Sequence, residues 1–92
     1  MSMEFEWDSD KAASNLAKHG VAFAEAGTVF GDPLAITYFD PDHSDEEDRF
    51  LTFGQSSDGR LLVVSHADCG SNTRIISARV ATRRERTIYE EG

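Results

Sequence analysis

The chain has 92 residues, a formal charge of −8 and 39% hydrophobic residues, which suits one domain, residues 1–92, whose core buries only about 60 to 65% of the unfolded surface. No apolar run reaches the roughly 18 residues of a membrane span, and Glu4, Glu6 and Asp8 make a poor secretory signal, so a soluble cytoplasmic protein without a membrane partner is expected. Cys69 is the single cysteine, which excludes an internal disulfide and any multi-cysteine zinc site.

Glu4-Phe5-Glu6-Trp7 alternates acid and aromatic, the period of a short strand with one face buried. Asp8 then caps a predicted helix from Ser9 to Lys18, with Ala12, Ala13 and Leu16 as its apolar stripe. Gly20 ends it, and His19 stands as a cation near its negative end. A second helix is predicted from Ala22 to about Phe30, with Phe23, Ala26 and Phe30 on one side; Gly27 weakens it and Gly31-Asp32-Pro33 stops it. Leu34 to Phe39 reads as a strand. The acidic loop from Asp40 to Asp48 lacks the central glycine and alternating carboxylates of a calcium loop and holds a single histidine, His43. It therefore reads as a solvated or partner-facing loop, with no metal.

Arg49 to Gly54 is the next predicted strand, with Phe50 and Phe53 as its large apolar members. Gln55 to Gly59 turns the chain into two runs rich in Val, Ile and Leu, which flank Asp68-Cys69-Gly70-Ser71-Asn72 and predict an antiparallel hairpin. Cys69 reads as a small residue in that turn. Thr82-Arg83-Arg84-Glu85 fits a capping box, so a last helix is expected from Arg83 to Glu91 with Ile88 and Tyr89 on its buried side. The order β-α-α-β-β-β-β-α makes an α+β domain, its helices packed on a small, mainly antiparallel sheet.

Charge divides the chain. Residues 1–48 set Lys11 and Lys18 against twelve acids, whereas Arg60 to Arg86 holds six arginines against Asp68 and Glu85. An Arg-rich trailing third can meet phosphate through bidentate contacts even though the whole molecule is acidic.

Several stretches together resemble the BrnT family, the ribonuclease halves of BrnT/BrnA toxin–antitoxin pairs. They are Phe5-Glu6-Trp7-Asp8, Lys18-His19-Gly20-Val21, Asp32-Pro33, Asp42-His43-Ser44 with Glu47 and Arg49 beyond, Gly59-Arg60, and Arg74-Ile75-Ile76-Ser77-Ala78-Arg79 closing with Glu85-Arg86 and Tyr89-Glu90. The resemblance implies a RelE-like fold and a cytoplasmic endoribonuclease that cuts RNA without metal or cofactor. It also implies growth arrest until a BrnA-like antitoxin covers the enzyme, with a homodimer or a hetero-oligomer as the assembly.

Metal-free RNA cleavage needs a base for the ribose 2'-hydroxyl, cations around the crowded phosphate and an acid for the departing 5'-oxygen. His66, which titrates near neutrality, and Arg60 and Arg79 are the catalytic candidates, with Glu47 as alternative base. Arg49, Arg74, Arg83 and Tyr89 are candidate RNA contacts. Strand parity puts Arg60, Leu62, Val64 and His66 on one face and separates Arg74 from Arg79, so the hairpin register decides which of these two joins His66. Two structural readings stay open: surface ion pairs for the arginines and a hydrogen bond within the sheet for His66. Two other functions also stay open, namely an idle binding module acting with its antitoxin in a repressor complex, and an acidic nucleic-acid mimic.

Overall fold

The computed structural model describes residues 4–43 and 47–92, which leaves Ser44, Asp45 and Glu46 of the acidic loop outside the described residues. Asp8 accepts the Asp10 amide at 2.8 Å and starts α1 (Ser9–His19). Gly20, at φ 69°, ends it by donating its N–H to the Leu16 carbonyl. The buried side of α1 differs from the apolar stripe. Leu16 is 52% exposed whereas Asn15 is 7% exposed, because the Asn15 amide donates to the carbonyls of Val21 and Ala78 and accepts the Ala78 N–H.

Helix α2 (Phe23–Thr28) is shorter than its pattern, for the chain tightens into a single 3-10 turn at Val29–Gly31. At Gly27 a Cβ would lie 3.3 Å from the Phe5 ring, so glycine lets that ring pack close to the helix. Asp32 then accepts the Leu34 amide through its side chain at 2.9 Å. That turn delays β2 to Ile36–Asp40, two residues later than the apolar run suggested.

Strands β3 (Arg49–Gln55), β4 (Leu61–Cys69) and β5 (Asn72–Val80) follow, and β4 and β5 run on through the expected five-residue turn until only Gly70 and Ser71 remain to close the hairpin. Helix α3 (Arg83–Glu91) opens on the reciprocal box of Thr82 and Glu85. The sheet order is β1-β5-β4-β3-β2, where β1 (Glu4–Glu6) lies parallel to β5 and the other pairs are antiparallel.

One face of the sheet carries Leu62, Val64, Ile75 and Ala78 against Val21, Phe23, Ala26 and Val29. At about 1.5 to 3 kcal/mol for each fully buried aliphatic side chain, this cluster is the main source of stability. Gly54 belongs to the same contact: a Cβ there would lie 2.7 Å from Val29. The other face also buries Phe53, Leu61, Val63 and Ala67, and α3 returns over it, tied through Glu85 to Arg79 and through the Tyr89 hydroxyl to Asp32 at 2.6 Å. Ile88 contributes less than its pattern promised and stays 37% exposed.

Candidate nucleic-acid interface

The pairing of β4 with β5 shifts by one residue at Ser65/His66: Ser65 faces Ser77, but His66 faces Ile75, so Ile76 is an extra residue on β5. Such a bulge reverses the alternation along its strand. Parity counted straight through β5 separates Arg74 from Arg79, whereas the bulge brings both to the face opposite the aliphatic core, where Arg74 pairs with Ala67 and Arg79 with Val63. His66 stays with Leu62 and Val64 on the core face, so neither arginine joins it.

His66 is 6% exposed. Its ring lies against Phe30 at 4.8 Å and Phe50 at 5.9 Å, and Nε2 shares a 2.7 Å hydrogen bond with the Thr52 hydroxyl, which continues to Thr37. Burial lowers its pKa below the ordinary 6.5, and the nearby Asp68 offsets this only in part. A proton binds the unfolded imidazole first, so His66 supports the fold fully above about pH 6.5 and less as the pH falls through that value toward the lower folded pKa. His66→Gln is therefore expected to flatten the loss of stability between pH 7.5 and 5.5. Urea denaturation at the two pH values checks this, and an unchanged slope would contradict it.

Arg60 is also engaged elsewhere. Its guanidinium grips both oxygens of Glu25, at 2.9 and 2.5 Å, and donates to the Gly20 carbonyl at 3.1 Å. The Arg60 hydrogen bonds are the main reason the Glu25 pKa is lowered. Arg60 thus ties the corner between α1 and α2 to the turn before β4, about 23 Å along the strand from Ala67 at 3.3 Å per residue. Tyr89 binds Asp32 at that same end. Arg79 forms a bidentate pair with Glu85 at 2.6 and 2.7 Å, which holds the Glu85 carboxyl down at about 2. Arg83 is exposed on the first turn of α3.

The remaining candidates converge. Asp40, Arg49, Ala67, Arg74 and Glu6 are successive cross-strand partners, one residue from each strand of the sheet. Ala67 is fully buried between the two arginines, whose backbones stand about 10 Å apart at roughly 4.8 Å per strand. Side chains as long as arginine can close over so small a neighbour onto one anion. Glu47 bonds to Arg74 and lies 4.0 Å from the Arg49 Nε. These three residues, with Asp8, Lys11 and the bulge at Ile76, line a cleft of about 280 Å³ between α1 and β5.

Lys11 is the residue that sequence reasoning missed. Its signal was its place in the first turn of a helix, where a cation opposes the helix dipole and so invites an explanation. The cleft combines three cations, Lys11, Arg49 and Arg74, with two carboxylates, Asp8 and Glu47, a set suited to gripping a phosphate and moving a proton beside it.

A sequence profile of the family described as ribonuclease toxin, BrnT, of type II toxin-antitoxin system matches residues 7–85. Among solved structures, the chain is similar to the ribonuclease toxin BrnT of Brucella abortus, determined at 1.1 Å. The two share 26% identity with a TM-score of 0.65, over 89% of this chain and 100% of that one. No curated protein matches the sequence.

Proposed function

Since the chain belongs to the BrnT family of ribonuclease toxins of type II toxin–antitoxin systems, we propose that it is a metal-independent endoribonuclease whose scissile phosphate sits in the cleft between α1 and β5. The observation that carries this reading is Glu47, a carboxylate held between Arg74 and Arg49 in a cleft that Lys11 also lines.

Glu47 takes the proton from the ribose 2'-hydroxyl, and the 2'-oxygen forms its bond to the adjacent phosphorus. Arg74 and Arg49 neutralise the charge that gathers on the non-bridging oxygens, which is where a preorganised cation has the most effect. As the bond from phosphorus to the 5'-oxygen breaks, the Lys11 ammonium donates a proton to that oxygen, leaving a 2',3'-cyclic phosphate and a free 5'-hydroxyl. Arg79 and Arg83 lie outside the cleft lining, farther along β5 and on α3, and Arg60 and Tyr89 support the fold at the opposite end of the sheet, as His66 does within its core. A BrnA-like antitoxin would silence the toxin by covering this surface, which also adds buried area to a small core.

Purified protein incubated with RNA in excess EDTA is expected to cut it and to leave cyclic phosphate ends. Intact RNA in EDTA, with cutting restored by magnesium, would contradict metal independence. Intact RNA under both conditions would contradict the ribonuclease reading.

A further inference from the structure

Of the nine basic residues in the sequence only Lys11 and Lys18 are lysines, and both lie on α1 facing the same groove. Lys11, Ser14 and Lys18 follow one another at the i, i+3 and i+7 spacing of a single helix face. With His19 they line a second hollow of about 210 Å³, closed on the other side by Ile76 and Ser77 of β5. This hollow shares Lys11 and Ile76 with the cleft around Glu47, so the two form one continuous groove.

The groove exists because β1 is short. Its pairing reaches only Arg74, and from Ile75 onward the edge of β5 is bordered by α1. The bulge at Ile76 opens this border. The charge of the groove is also available: Arg60, Arg74 and Arg79 are each paired with a carboxylate, whereas Lys11 and Lys18 have no ion pair or side-chain hydrogen bond among the described residues, and both are exposed.

We infer that the Lys18 end of this groove is a second phosphate subsite, which holds the backbone of single-stranded RNA about three nucleotides along from the scissile phosphate. Lys11 and Lys18 are separated by about 10.5 Å of helix rise, the length of about three stacked nucleotides at 3.4 Å each. Lys18 and His19 meet the flanking phosphate, and the hydroxyls of Ser14 and Ser77 can bond to its oxygens. Contacts of this kind are indifferent to base identity, so the subsite sets register and affinity along the strand and leaves sequence preference to other contacts.

The inference rests on the ribonuclease reading but is tested without cleavage, by fluorescence anisotropy with a 2'-O-methyl RNA octamer, which cannot be cut. Lys18→Ala is expected to weaken binding about fivefold and to lower the salt slope by about 0.7, whereas Lys18→Arg keeps both. Wild-type binding by Lys18→Ala would overturn the subsite and assign the groove to some other ligand, such as an acidic segment of the antitoxin. Equal losses in Lys18→Ala and Lys18→Arg would also overturn it, since they would show a packing role. Neither outcome touches the ribonuclease assignment, which is read by cutting in EDTA.

Discussion

Arg74→Ala is expected to lower RNA cleavage about 10²- to 10³-fold while leaving the protein folded. On the proposed reading, the substitution removes a guanidinium that neutralises the scissile phosphate and leaves the Glu47 carboxylate, its partner, beside that phosphate without compensation. Both effects fall on the transition state, where charge on the phosphate is greatest, and losing one such donor has about this cost. Stability should hardly change, because the Arg74 and Glu47 side chains are each about one third exposed and an exposed ion pair contributes about 0 to 1 kcal/mol. Arg74→Lys should recover only part of the rate, a single ammonium replacing a two-pronged donor. Single-turnover cleavage at saturating enzyme, beside a thermal melt, separates rate from folding. Activity within about threefold of wild type would remove Arg74 from the site.

The largest effect on stability is expected at a residue with no part in the chemistry. Asn15→Leu should cost about 3 kcal/mol or more, measured by urea denaturation. With β1 ended at the partner of Arg74, the backbone of Ala78 lacks a neighbouring strand on that side, and the Asn15 amide takes the strand's place. It accepts the Ala78 N–H at 3.1 Å, donates to the Ala78 carbonyl at 2.8 Å and reaches the Val21 carbonyl at 2.9 Å. A leucine breaks three hydrogen bonds and strands buried backbone groups, each worth roughly 1 kcal/mol or more. A loss below about 1 kcal/mol would show that water satisfies those groups and that the amide does not hold α1 on the sheet.

The element order was legible because its punctuation is local. Asp8, Gly20 and the Thr82/Glu85 box mark helix ends by side-chain chemistry that needs no tertiary context, and the Val- and Ile-rich runs around Gly70 could hardly be anything but a hairpin. The family was legible too, because its stretches span most of residues 7–85. The layout of the site was not. A single extra residue at Ile76 reverses the parity of β5, and nothing in Arg-Ile-Ile-Ser-Ala-Arg marks which residue bulges, since isoleucine suits either place.

Asn15 was hidden for a related reason. A polar residue reads as solvent-facing unless the backbone groups it satisfies are known, and two of the three, the N–H and carbonyl of Ala78, lie 63 residues away on β5. His66 is the opposite case, for an imidazole at the end of a strand suggests catalysis, whereas its contacts with Phe30, Phe50 and Thr52 favour the reading as a hydrogen bond within the sheet. The cleft itself joins Lys11 from one end of the chain with Glu47, Arg49 and Arg74 from the middle and far end, a convergence that exists only once the sheet is assembled.

The most direct measurement is a titration of the isotope-labelled protein with 2'-O-methyl RNA, followed by backbone amide chemical shifts. The account predicts that the shifts concentrate at Lys11, Glu47, Arg49 and Arg74 through Ser77. Shifts confined to the opposite end of the sheet, around Ser56 to Arg60 and Asp32, would contradict it.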